Sequence, residues 1–109
     1  MGKRNAVSGN ARTPLPKPIK FPLGKIVITP GAATEIDSDE ITAALRRHQG
    51  GDWGNLDPRE RNCNEKALKA AGWLLSSYVD PVGGERFLVI TQPNRTVTTV
   101  MIPNEFGEM

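Results

Sequence analysis

The chain predicts an α+β fold of two layers, a helical pair laid on an antiparallel sheet of three to four strands, in the order β-α-α-β-β-β. Three observations carry that expectation. Two segments open on helix-capping residues and then place apolar or small side chains at helical spacing. Three later runs are rich in β-branched and aromatic residues and alternate with period two. Short turns separate those three runs, which makes them an antiparallel meander. A helix pair and a sheet each have one apolar side, and burying the two against each other is the economical arrangement.

The elements follow in chain order. Ile26-Val27-Ile28 is a β-branched run that Thr29-Pro30-Gly31 ends, so a short strand is expected there, with Ala32 to Glu40 as a loop into the first helix. Asp37 can cap that helix, Glu40 three residues later suits a capping box, and Ile36 and Ile41 suit a hydrophobic staple. Ile41, Ala44, Leu45 and His48 fall on one face, and Gly50 or Gly51 supplies the stop, which gives a helix over 38–49. The second helix starts at Asp57-Pro58 with Glu60 at N3 and runs to Ala71, with Gly72 as its stop. Its small residues Cys63, Ala67, Ala70 and Ala71 predict an inward face, and Glu65 and Lys69 an i,i+4 pair. The strands are expected in "WLLSSYV", "RFLVIT" and "TVTTVMI", with turns at "DPVGG" and "QPNR". Trp73, Leu75, Ser77 and Val79 share one side of the first of these, and Leu74, Ser76 and Tyr78 the other.

The net charge of +2 is unevenly spread. Residues 1–25 carry Lys3, Arg4, Arg12, Lys17, Lys20 and Lys25 and no acid, whereas residues 26–109 hold eight basic and twelve acidic residues. Four of the nine prolines lie in residues 1–22, which blocks helix and favours extended chain. The expected organisation is a basic, proline-rich arm over 1–22 and a single domain over 23–109. No run approaches the roughly 18 apolar residues of a membrane span, so no membrane partner is expected. One cysteine, Cys63, fits a reducing cytoplasm.

Catalytic chemistry finds little support. Cys63 and His48 are the chain's sole cysteine and histidine. A buried cysteine on a helix is ordinarily an inert hydrophobe, and the expected face of Cys63 is the buried one. One Cys and one His do not make a structural zinc site. No phosphate loop, dinucleotide fingerprint or hydrolase elbow is present. The expectation is therefore no catalytic residue, no metal and no cofactor.

Two binding readings remain. The first centres on the interhelical stretch "HQGGDWGNLDP", where Asp52, Trp53 and Gly54, with Arg47 beside them, can form a protein-contact spot. Trp53 can instead fold back and plug the end of the helical layer, as a large apolar side chain normally does. The second reading is nucleic-acid binding through Lys3, Arg4, Arg12, Lys17 and Lys20 of the arm and the cluster Arg46, Arg47, Arg59 and Arg61. Asp57 and Glu60 at the tip of the second helix oppose it.

The segments "TPGA", "RHQGGDWGNLD", "NEKALKAAGWLLSSY" and "RFLVIT…NRTVTTVMIPNEF" resemble a family of small bacterial proteins found on plasmids and other mobile elements. The resemblance covers roughly residues 24–106 and is most specific at Gly51-Asp52-Trp53-Gly54 and Thr98-Thr99-Val100. Some members carry the label type I restriction subunit M. This chain has neither a glycine-rich cofactor loop nor an Asn-Pro-Pro-Tyr-like motif, so that activity does not carry over. The resemblance implies an accessory protein of a mobile element, and the residues themselves lead to the expectation that it is non-enzymatic and cytoplasmic. It would act through an unidentified protein partner, against or within host defence, as a monomer or weak homodimer.

Overall fold

Residues 18–108 are described by the computed structural model, so Lys3, Arg4, Arg12, Lys17 and most of the arm lie outside the described residues. Strand β1 (Lys25–Ile28) leads into α1 (Pro30–Glu35), then α2 (Ser38–Gln49) and α3 (Pro58–Ala70). Strands β2 (Leu74–Val79), β3 (Arg86–Thr91) and β4 (Val97–Met101) follow, and a 3-10 helix (Pro103–Glu108) comes last. The four strands form one sheet in the order β1-β4-β3-β2. The fold is α+β and keeps the expected sequence of elements. The meander β2-β3-β4 is antiparallel, while β1 takes the edge beside β4 and runs parallel to it, so the sheet is mixed.

The expected loop after β1 is instead the short helix α1. Thr29 and Pro30 do not merely end a strand. Thr29 caps the helix by accepting from the Ala32 N–H at 3.2 Å, and Pro30 takes a first-turn position where no N–H is needed. Glu105 of the 3-10 helix clamps this corner: its carboxylate accepts from Thr29 Oγ1 (2.6 Å) and from the N–H groups of Gly31 and Ile102 (both 3.0 Å). A side chain at Gly31 would meet that carboxylate at 2.7 Å. The hydrogen bond from Thr29 is the main reason the Glu105 carboxyl titrates below its usual range.

Helix α2 spans the expected residues. Its cap is simpler than a box: Asp37 accepts from the Asp39 N–H at 2.8 Å. Ile36 and Ile41 are both buried in one cluster, as a staple requires. The capping box forms at α3, where Asp57 accepts from the Glu60 N–H and Glu60 from the Asp57 N–H (2.8 and 3.2 Å). That helix stops one residue early. Ala71, not Gly72, adopts the left-handed conformation (φ 56°), and Arg95 stabilises the turn by donating to Ala67 O (2.9 Å) and Gly72 O (2.5 Å).

The inward face of α3 differs from the expected one. Cys63 is exposed, as are Ala70 and Ala71, whereas Asn64 is buried and Ala67 and Leu68 are half-buried. Small size signals close approach and not its direction, so the inward stripe follows Asn64, Ala67 and Leu68 at i, i+3, i+4. The expected Glu65–Lys69 ion pair does not form among the described residues; Glu65 accepts from Trp53 instead.

The helices cover one side of the sheet. Ala32, Ile36, Ile41 and Ala44 pack on Tyr78, Phe87, Val89, Val100 and Ile102. Phe21, Trp53 and Leu56 gather on Leu74 with Leu23, Ala67 and Leu68. Leu88, Ile90 and Met101 form a cluster of strand residues on the opposite side, with Leu75 against it. The expected division of sides along β2 holds, but burial does not alternate with it: Leu74, Ser76 and Tyr78 are buried under the helices, Trp73 and Val79 are exposed, and Ser77 is fully buried on the opposite side.

Candidate functional site

The stretch between α2 and α3 is the densest set of specific interactions among the described residues. Helix α2 ends at Gly50, whose N–H bonds Arg46 O and Arg47 O, and Gly51 turns the chain with φ 85°. Lys20 lies over this turn and would be the neighbour of any side chain at Gly51. A cation there suits the negative end of the helix. The Asp52 N–H then bonds Arg47 O at 2.8 Å.

The Asp52 carboxylate holds Arg47 in a two-point pair (2.8 and 3.3 Å) and accepts from the Gly54 N–H at 3.2 Å. The Arg47–Asp52 hydrogen bond raises the Arg47 pKa further. The Arg47 guanidinium lies 4.6 Å from the centre of the Tyr78 ring, and the Tyr78 hydroxyl donates to Asp52 O at 2.5 Å. Burial pushes the Tyr78 phenol well above its ordinary value.

Gly54 pairs with Ser77 as a one-residue parallel strand. The Ser77 N–H bonds Trp53 O at 3.1 Å, and the Asn55 N–H bonds Ser77 O at 2.7 Å. Gly54 has φ 74°, and a Cβ on it would sit 2.1 Å from Ser77 O. No residue with a side chain fits that approach. One turn of α3 further on, Asn64 completes the seal: it accepts from the Leu75 N–H (3.1 Å) and donates to Leu75 O (2.6 Å). Leu75, Ser77 and Val79 face outward at this edge of the sheet, and the first two are satisfied by these bonds.

Trp53 points inward. It is 4% exposed, its indole N–H donates to Glu65 Oε2 at 2.7 Å, and its ring stacks on Phe21 at 6.2 Å. The plug reading describes it; as an accessible contact residue it is corrected. Asp52 and Gly54 are half-buried, and Arg47 is the exposed member of the four.

His48 lies beneath this loop with no solvent exposure. The Phe21 and Trp53 rings meet its imidazole edge-on at 5.2 and 5.6 Å. Its Nδ1 lies 2.6 Å from Ser76 Oγ and its Nε2 2.9 Å from Thr91 Oγ1. Thr91 Oγ1 lies 2.7 Å from Thr98 Oγ1, which donates to Leu23 O at 2.7 Å. A carbonyl can only accept, so the direction of each bond from Nε2 outward follows, and the neutral state of the ring settles Nδ1. Thr98 gives its proton to Leu23, Thr91 gives its proton to Thr98, and Nε2–H of His48 gives its proton to Thr91. Nδ1 is then bare and accepts from Ser76. Burial is the main cause, with the Arg95 charge second, that holds the His48 pKa down to about 3. The imidazole is neutral at pH 7 and fully bonded inside the core.

The expected chemistry can now be placed. His48 engages neither Cys63 nor the Asp52 carboxylate, because Ser76 and Thr91 take both ring nitrogens. Among the described residues, no group of three or more His, Cys, Asp and Glu side chains is placed to hold a metal ion. No described helix is long and apolar enough to cross a membrane. Of the arginine cluster, Arg47 is paired with Asp52 and Arg61 donates to Leu56 O at 2.9 Å, while Arg46 and Arg59 are exposed. Sequence reasoning missed Asn64, Glu65 and Arg95, whose partners lie 11 to 28 residues away. It also passed over the exposure of Trp73. Compared with protein-family models, with curated proteins and with solved structures, the chain matches none.

Proposed function

We propose that this protein is a non-enzymatic binding module that acts through protein contact, with the contact centred on the sheet and not on the Gly-Asp-Trp-Gly loop. The observation that carries the reading is Trp73, a tryptophan left 55% exposed immediately before β2. It stands in line with Leu75 and the exposed Val79 on the side opposite the helices. Tryptophan is the side chain most enriched at interface hot spots, and exposed apolar groups beside a buried apolar cluster favour a partner. The polar groups that would otherwise invite a catalytic reading, His48 and Ser76, are consumed by the fold. The resemblance to small plasmid and mobile-element proteins supports a partner among host or element proteins, including those of defence. That part rests on association with a family and not on a site.

The test is affinity capture from a bacterial lysate with the tagged chain and a Trp73→Ser variant, each with and without nuclease. The reading predicts a protein that survives nuclease and is lost with Trp73→Ser. Equal capture by both forms, or capture abolished by nuclease, contradicts it. The second reading, nucleic-acid binding, is favoured by the six basic and no acidic residues of the first 25. It predicts affinity that falls steeply with salt.

A further inference from the structure

The two edges of the sheet are built differently, and the difference points to a second copy of this chain. At β2 the outward N–H and C=O groups of Leu75 and Ser77 are sealed by Asn64 and by the Trp53–Asn55 segment. At β1 the N–H groups of Lys25 and Thr29 bond Thr96 O and Val100 O at 2.8 and 3.0 Å. Odd-numbered residues therefore bond toward β4, and the N–H and C=O groups of Ile26 and Ile28 face outward. No described residue bonds them. Ile26, Val27 and Ile28 are 44%, 37% and 43% exposed. The strand has no internal proline, acid or bulge to discourage pairing.

We propose that β1 pairs antiparallel with β1 of a second copy, about a two-fold axis at Val27, to join the two sheets into one. In that register Ile26 exchanges both backbone hydrogen bonds with the partner's Ile28, and Ile28 with the partner's Ile26. Val27 lies opposite the partner's Val27, and Lys25 lies opposite the partner's Thr29. Branched side chains thus meet branched side chains, and the one charge of the strand meets a hydroxyl and not another lysine. A two-fold contact requires such self-complementarity. A four-residue edge buries less than the roughly 1,200 Å² of a standard stable interface. The pair is therefore reversible and concentration-dependent. It uses a different surface from Trp73, so either proposal can fail without the other.

The experiment is sedimentation equilibrium of the full chain over a concentration series, with Val27→Lys, Val27→Glu and their equimolar mixture. Like charges would face each other across the axis in each variant alone. Each should weaken the dimer by about tenfold or more, and the mixture should restore it. Amide hydrogen exchange supplies a readout that needs no variant. The Ile26 and Ile28 amides should gain protection as concentration rises, while the Val27 amide is protected throughout. A wild-type chain that stays monomeric, variants that dimerise unchanged, or concentration-independent exchange at Ile26 and Ile28 would overturn the proposal.

Discussion

The edge at β2 and the edge at β1 face the same physical problem with opposite outcomes. An edge strand offers unpaired backbone groups to any passing strand. At β2, a mini-strand and one asparagine close it at Ser77 and Leu75, and the mini-strand is held in turn by Arg47, Tyr78 and the Trp53 plug. At β1, three branched residues stand exposed with outward backbone groups that no described residue bonds. The comparison shows what the Gly-Asp-Trp-Gly loop is for. Its conspicuous residues close one edge at Leu75 and Ser77 and plug the core beneath it, so the motif serves the fold, and the proposed contact is placed at Trp73 instead.

The seal can be broken in steps. Gly54→Val should be the most damaging change, because it combines φ 74° with a 2.1 Å approach to Ser77 O. A cost of about 4 kcal/mol or more is expected from denaturant unfolding, enough to unfold a marginally stable domain.

Acid attacks the same region through His48. Its folded pKa, about 3, lies below the unfolded value, so the unfolded chain binds the extra proton. The associated stability is present above about pH 6.5 and is lost as pH falls toward 3. By about pH 4 the loss from this group is roughly 3 kcal/mol. Unfolding at pH 7 and pH 4, compared between wild type and His48→Gln, isolates it from the carboxylates. The wild type should lose more stability than the variant.

Smaller changes sharpen the comparison. Asn64→Ala strips both Leu75 groups of their partner and should cost about 1–3 kcal/mol. Light scattering should also show a greater tendency to associate, since the sealed edge opens. Gly51→Ala shares the positive φ of Gly54 but meets only the flexible Lys20 side chain near 3.0 Å, so about 1–2 kcal/mol is expected. Arg47→Ala removes an ion pair whose arginine is half exposed, and should cost no more than about 1 kcal/mol.

Much of the fold was legible because its signals are local. Asp57-Pro58-Glu60 fixes a helix start within four residues, and the alternation of Leu74, Ser76 and Tyr78 fixes a strand face. The parallel placement of β1 was not legible, because nothing in Ile26-Val27-Ile28 encodes a partner 72 residues on. The helix at Pro30 was missed although Thr29-Pro30 carries the same cap-then-proline chemistry as Asp57-Pro58. The loop stands out in the sequence, but its role is not readable there. Whether Asp52, Trp53 and Gly54 present a surface or close one depends on Ser77, Tyr78 and Glu65, which meet them only after folding.

The two tryptophans give the most direct test of the central claim, that the loop tryptophan is structural and Trp73 is spare to the fold. Urea unfolding of Trp53→Ala and Trp73→Ala should separate them. Trp53→Ala is expected to cost about 3–5 kcal/mol and Trp73→Ala to stay within about 0.5 kcal/mol of wild type. Equal losses, or a Trp73→Ala chain less stable than Trp53→Ala, would contradict the account.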